Sequence, residues 1–328
     1  MAAERTSARF PKLPQSAGHY ESFYLKACHP TEPLALWVRH TVHKPPGVEP
    51  TGSLWCALFT PDAPLAVKQT FDVVGAPGGG YIVMGASIFT PASARGSAEG
   101  EGRSASWDLT FDGAAEPFRH LPRDWMYRAP LPRTKLLSPH PDVRFSGSAE
   151  VGGQHVDLRG WRGMVGHNWG AEHAERWIWM HGAGFSENED AWIDAALGRI
   201  KVGPFTTPWI ANAVLSMDGI RHRLGGPANV RTTEVRESPE GCEFVLTGKG
   251  VTVQGRAGAS RERFVGWVYA DPDGSEHHTV NCSISDMELA ISRPGQPPVS
   301  LRVAGGAAYE LGMREHDHGV TIEPFSDG

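Results

Sequence analysis

Ala35-Leu36-Trp37-Val38-Arg39-His40-Thr41-Val42-His43 is the stretch that decides the fold. Successive side chains of an extended chain point to opposite faces, so Leu36, Val38, His40 and Val42 form one row and Trp37, Arg39, Thr41 and His43 the other. This period-two alternation, with aromatic and β-branched residues, marks a strand. The same period recurs outward from this segment at 53–60, 80–90 and 104–112, and after a proline-studded connection at 116–141 it returns at 143–148, 155–163, 175–182, 191–200 and 209–217. Strand-sized runs follow at 230–237, 242–248, 251–255, 264–270, 280–291 and 299–309. Asp218-Gly219 reads as a two-residue hairpin turn and Asp273-Gly274 as a second turn. Only 7–12 and 287–291 suggest a helical turn. No amphipathic helix is held for three turns, so a parallel sheet would lack its crossover helices. The chain is expected to be all-β, an antiparallel sandwich or pair of barrels.

The 328 residues suit two domains. We expect a polar tail at 1–18, one β-domain at 19–182 and a second at 183–328. Formal charge is −6 with the basic residues scattered, which argues against nucleic acid as a partner. Cys28, Cys56, Cys242 and Cys282 form no C-x-x-C pair and no secretory leader opens the chain, so free thiols in a cytoplasmic protein are expected. Apolar runs stay well short of the roughly 20 residues a spanning helix needs, leaving at most peripheral membrane contact.

The strongest local signal is tryptophan. Trp161, Trp169, Trp177, Trp179, Trp192 and Trp209 are six of the chain's 11. Strand alternation puts Trp177, Trp179 and His181 on one face, and Trp192 with Asp194 on one face of the next strand. If these strands are hairpin neighbours, the five share a patch, which His167 and Trp169 could join. A carboxyl group among indoles loses solvation of its charged form, which raises its pKa and suits Asp194 to act as a general acid. Indole faces stabilise a cation without capturing it, so acid plus aromatic wall is the chemistry of protonating an alkene. The plain alternative is that these tryptophans are core and that Asp194 is the polar edge of an amphipathic strand. Of the histidines, His167 is the stronger candidate over His173 and His181.

Other motifs carry less. The glycine run Gly78-Gly79-Gly80 leads into a strand, whereas a phosphate loop must lead into a helix. His316, Asp317 and His318 read as a solvated edge, and neither H-e-x-x-H nor G-x-S-x-G spacing occurs, so no metal and no cofactor is expected.

The run Trp161-Arg-Gly-Met-Val-Gly-His-Asn-Trp-Gly170 followed by Trp177-Ile-Trp179 resembles the lipocalin-like (calycin) superfamily of carotenoid hydratases, AttH-type proteins, tocopherol cyclase relatives and fungal Diels–Alderases. Trp192-Ile193-Asp194 stands where the hydratases have an aromatic-x-Asp strand. The resemblance covers 107–194. It implies two lipocalin-like antiparallel β-barrel or half-barrel domains packed together, with His167, Trp169 and Asp194 as pocket or acid-site residues. Gly166 and Trp192 depart from the family pattern. The function expected is a cofactor-independent isomerase, hydratase or cyclase acting on an apolar isoprenoid or polyketide-like molecule. In it Asp194 and His167 are catalytic, and Trp169, Trp177, Trp179, His181 and Trp192 bind substrate. The alternatives are a non-catalytic carrier of lipid or terpenoid and a pericyclase.

Overall fold

The computed structural model describes residues 7–76 and 81–325; the glycine run at 78–80 lies outside them. The chain is almost wholly β, its strands paired antiparallel in two large sheets. The first sheet runs, edge to edge, through Leu65–Phe71, Thr51–Phe59, Ala35–Lys44, His19–Cys28, Trp161–Gly170, Thr134–Val151, Arg103–Asp112, Ser93–Gly100, Ser87–Phe89 and Ile82–Met84. Its ends approach each other through a bridge between Gly75 and Val83.

The second sheet closes on itself. Its ring is Ile220–Gly225, Ile210–Met217, Asn188–Arg199, Arg176–Phe185, Val299–Met313, Glu276–Ser292, Val251–Gly258 and Gly241–Gly248, joined back to its start by the Leu224–Gly248 pair. Closure removes the exposed edge of an antiparallel sheet. The chain passes from one sheet to the other between Gly170 and Arg176, so the boundary expected at 182/183 falls inside the Arg176–Phe185 strand.

The two rows of the opening segment have different destinations. Leu36, Val38 and Val42 pack into the interior of the first sheet with Phe23, Leu25, Leu54 and Trp161. Trp37 faces the second sheet, packed with Trp55 and Trp267. That is why the His19–Cys28 strand is buried at every position: one face fills its own sheet's core and the other is covered by the second sheet.

Asp218 at φ 54° and Gly219 at φ 74° make the expected two-residue turn between Met217 and Ile220. The 287–291 segment is not helical but lies within Glu276–Ser292, while a short 3-10 turn does occur at Phe10–Lys12. The connection expected to reach 141 already becomes strand at Thr134. Pro139 and Pro141 are tolerated because the pairing with Trp161–Gly170 shifts register between Leu137 and His140 and again between His140 and Val143. Part of the 230–237 run is the 3-10 turn Pro227–Thr232, leaving Glu234–Ser238 as strand. The four cysteines are free and buried.

Candidate functional site

A cavity of about 640 Å³ lies between the two sheets. The first sheet contributes Tyr24, Trp37, Arg39, Leu136 and Asn168; the second contributes Trp177, Trp179, Tyr269 and Glu310. The connection at 120–134 and the turn at 200–207 complete the wall.

Two glycines seat the rings that shape it. A Cβ on Gly166 would come within 2.1 Å of Tyr24 Cζ, and one on Gly312 within 2.2 Å of the Trp177 ring. Tyr24 stands edge-on to Trp179, centroids 5.4 Å apart. Trp177 is fixed by donating Nε1–H to Glu310 at 2.9 Å, and Asn281 donates to the other carboxylate oxygen at 3.0 Å. The Arg39 guanidinium lies over the Tyr269 ring at 4.0 Å and donates to the Ser22 hydroxyl.

Opposite residues of an antiparallel pair share a face, and the register pairs Trp179 with Ala196, His181 with Asp194 and Ala183 with Trp192. Trp177, Trp179, His181, Asp194 and Trp192 therefore do lie on one face, the outer surface of the closed sheet turned toward the first. Of the seven residues named from sequence, only Trp177 and Trp179 line the cavity. His181 donates Nε2–H to the Pro141 carbonyl at 2.9 Å, and burial with the Lys26 charge lowers its pKa to about 4. Trp192 packs with Phe118 and Val214 under the Arg221 guanidinium.

His167 and Trp169 belong to the other face of their strand. His167 is stacked between Phe23 and Trp169, and its Nε2 lies 2.7 Å from Glu21. The same carboxylate accepts the backbone N–H groups of Arg9 and Phe10, so this pair ties down the N-terminal arm rather than joining Asp194.

Asp194 is fully buried and accepts from the Ser138 hydroxyl, with His120 Nε2 at 3.4 Å. Burial alone would push its carboxyl up, but the imidazoles of His120 and His181 and the Ser138 hydroxyl outweigh it and hold the pKa below the ordinary value. The expected protonated acid is thus a carboxylate. It reaches the cavity only through His120, a lining residue whose Nδ1 is engaged by Asn212 O at 3.1 Å.

A second imidazole–carboxylate pair sits in the wall itself. His173 lines the cavity, and its Nδ1 lies 2.7 Å from Asp271 Oδ1, which also accepts the His173 backbone N–H at 2.8 Å. His173 Nε2 is buried with no hydrogen-bond partner. Its ring is held by Tyr20, stacked at 3.8 Å, and by Trp177 at 5.2 Å. His277 Nδ1 stands 3.6 Å from Asp271 Oδ2, and burial pushes that imidazole down to about 3, keeping it neutral. The ligand atoms of His173, Asp271 and His277 all lie within 4.8 Å of one another. The 2.7 Å contact and the shared backbone donor are those of a hydrogen-bonded relay, which a metal ion would have to break.

Tyr24, Arg39, His120, Asp271 and Glu310 escaped sequence reading, and His173 was ranked below His167. Asp271 pairs with a residue 98 positions away, and its only local signal was the Asp273-Gly274 turn that ends its strand.

No family model matches this chain. Two curated proteins of Mycobacterium tuberculosis, from strains CDC 1551 / Oshkosh and ATCC 25618 / H37Rv, both described as uncharacterized, are each 26% identical to it over 94% of both chains. Among solved structures, an AttH-like protein of Nitrosomonas europaea superposes with a TM-score of 0.52 at 13% identity, covering 94% of this chain and 97% of that one. Kievitone hydratase of Nectria haematococca superposes with a TM-score of 0.50 at 11% identity, covering 92% of this chain and 90% of the hydratase. The likeness spans both sheets: this chain has the all-β, lipocalin-like architecture of those two proteins. No helix among the described residues is long and apolar enough to cross a membrane.

Proposed function

We propose that this chain is an acid–base enzyme of the hydratase, isomerase or cyclase class, acting on an apolar small molecule held between the two sheets. The observation that carries the reading is His173: one nitrogen bonded to the buried Asp271, the other without a partner, in the wall of an aromatic cavity. Asp271 fixes the tautomer with Nε2 as the free base and stabilises the imidazolium that forms when Nε2 takes a proton from water or substrate. The same group then returns the proton to the adjacent carbon or oxygen. When the imidazolium delivers its proton to an alkene carbon, the faces of Trp177, Trp179 and Tyr269 stabilise the positive charge that develops on the polyene or prenyl chain until water or the neighbouring π-bond captures it. Burial holds the Tyr24 hydroxyl far above its ordinary pKa, so it stays protonated and offers a hydrogen bond to a substrate oxygen. Asp194 becomes a positioning residue acting on His120. Fold likeness to a hydratase adds weight to water addition within this class, as analogy.

A carrier would use the same cavity but has no use for a desolvated imidazole–carboxylate pair. Titration with terpenoid or polyene ligands tests the reading. Saturable quenching of tryptophan fluorescence, weakened in Trp179→Ala with the fold retained, is the expected result; absence of quenching by every ligand class contradicts it.

A further inference from the structure

The cavity opens through two loops, and the side chains at their tips are unusual. Leu131 and Val202 line the cavity while each is 57% exposed, which places them at the mouth. Beside them Trp125 is 64% and Phe205 76% exposed. Phe205 belongs to the small hairpin Lys201–Val202 / Phe205–Thr206, and Trp125 to the 3-10 turn Asp124–Tyr127, whose neighbour Met126 is also a lining residue. Large apolar side chains scattered singly on a surface need no explanation. Here four of the seven that are strongly exposed among the described residues crowd one opening.

The charge at this rim has the opposite sign to that of the chain. Arg123, Arg128 and Lys201 are exposed, and none has an ion pair among the described residues. The rim's acidic groups are already matched: Asp124 by Arg119, Glu172 by Arg133 and Glu175 by Arg314. A net-negative chain thus presents a cationic, aromatic-tipped collar around an apolar cavity.

We propose that this collar docks on an anionic lipid bilayer. Trp125 and Phe205 seat among the headgroups, Arg123, Arg128 and Lys201 meet anionic lipid, and the apolar substrate passes between membrane and cavity without entering water. Aromatic side chains favour the headgroup region, and each cation near an anionic surface strengthens binding by about a factor of five. The inference rests on the functional reading above for what the cavity holds, though not for the docking itself.

The test is flotation of the full chain with vesicles of phosphatidylcholine alone or mixed with phosphatidylglycerol. Anilinonaphthalene sulfonate binding in vesicle-free solution is followed in parallel as a report on the cavity. Expected is binding to the mixed vesicles only, weakened by salt as the Debye length contracts. Arg123→Ser with Arg128→Ser should weaken it roughly 25-fold, the factor of five taken twice. Trp125→Ser with Phe205→Ser should reduce it comparably, and neither pair should change probe binding in solution. Equal binding by wild type and both variants, or no binding to either vesicle, overturns docking. Capture of the collar by another protein, with no affinity for vesicles, overturns it as well. Loss of probe binding in wild type would instead strike the cavity reading and leave the flotation result to stand on its own.

Discussion

The Tyr24 ring lies directly against the Cα of Gly166, where a Cβ would meet Cζ at 2.1 Å and the hydroxyl at 2.4 Å. The strands carrying them are register partners, so the contact is set by the sheet itself. Gly166 makes room for an aromatic ring contributed from the neighbouring strand. Gly166→Ala should force Tyr24 out of its edge-on contact with Trp179. The overpacking cost is about 1–3 kcal/mol, seen as a lower urea midpoint, together with weaker polyene binding. Unchanged binding and stability would show that the ring has room to move.

His173→Gln and Asp271→Asn address the proposed relay. Each should leave apolar ligands bound with near-native affinity while turnover falls by something like 10²–10⁴-fold, the range of a lost general acid or base. The expected order is His173→Gln at least as severe as Asp271→Asn, since the carboxylate acts through the imidazole. A larger loss in Asp194→Asn than in either would return the chemistry to the His120 side.

Imidazoles buried without charge, among them His40 and His181, should make the protein acid-sensitive well above the carboxylate range. Burial pushes His40 down to about 3, and burial followed by the Lys26 charge takes His181 to about 4. Unfolded, both titrate near 6.5. Their folded pKa values are depressed, so the unfolded chain binds more protons below pH 6.5, and stability present above that pH is lost as pH falls toward 4 and then 3. The slope is about 1.4 kcal/mol per pH unit for each group. Urea unfolding at pH 7.5 and pH 5.5 should differ accordingly, and His40→Phe, which faces Phe89 and Trp107, should flatten the dependence. Equal midpoints for wild type at the two pH values would contradict it.

Glu21 works in a lower window. Burial would raise its carboxyl, yet hydrogen bonds from His167 and His19 outweigh it and lower the pKa to about 2. The stability it contributes is complete above about 4.5 and lost as pH falls through about 2. Glu21→Gln should therefore free the N-terminal arm at neutral pH, read as faster proteolysis near Arg9 and Phe10 while the core strands stay protected. Equal protection of the arm in wild type and variant would show that the arm is held elsewhere.

The all-β fold was legible because alternation is a local property. Leu36 and Val38 against Trp37 and Arg39 needed no partner to declare a strand, and Asp218-Gly219 declared its turn by residue type alone. The shared face of Trp177, Trp179, His181, Asp194 and Trp192 also followed from period two and a short hairpin. What sequence could not reveal was which face of each strand met which sheet, because a face is assigned by packing between distant strands. His167 and Trp169 therefore seemed to belong with Asp194, whereas the pleat sends them into the first sheet's interior. The carboxyl of Asp194 was expected to stay protonated because the indoles were visible and the imidazole of His120, in a different part of the chain, was not. His173 and Asp271 meet only because the two strand ends converge.

The most direct test of the account is proton delivery in heavy water. Wild type and His173→Gln are incubated in D₂O with apolar extract from the producing cells, and products are followed by mass spectrometry. The account predicts a hydrated, isomerised or cyclised product carrying deuterium from solvent at one carbon with wild type, and its near disappearance with His173→Gln although the ligand still binds. Equal labelled product from both proteins, or a tightly bound ligand returned unlabelled and unchanged by wild type, would contradict it.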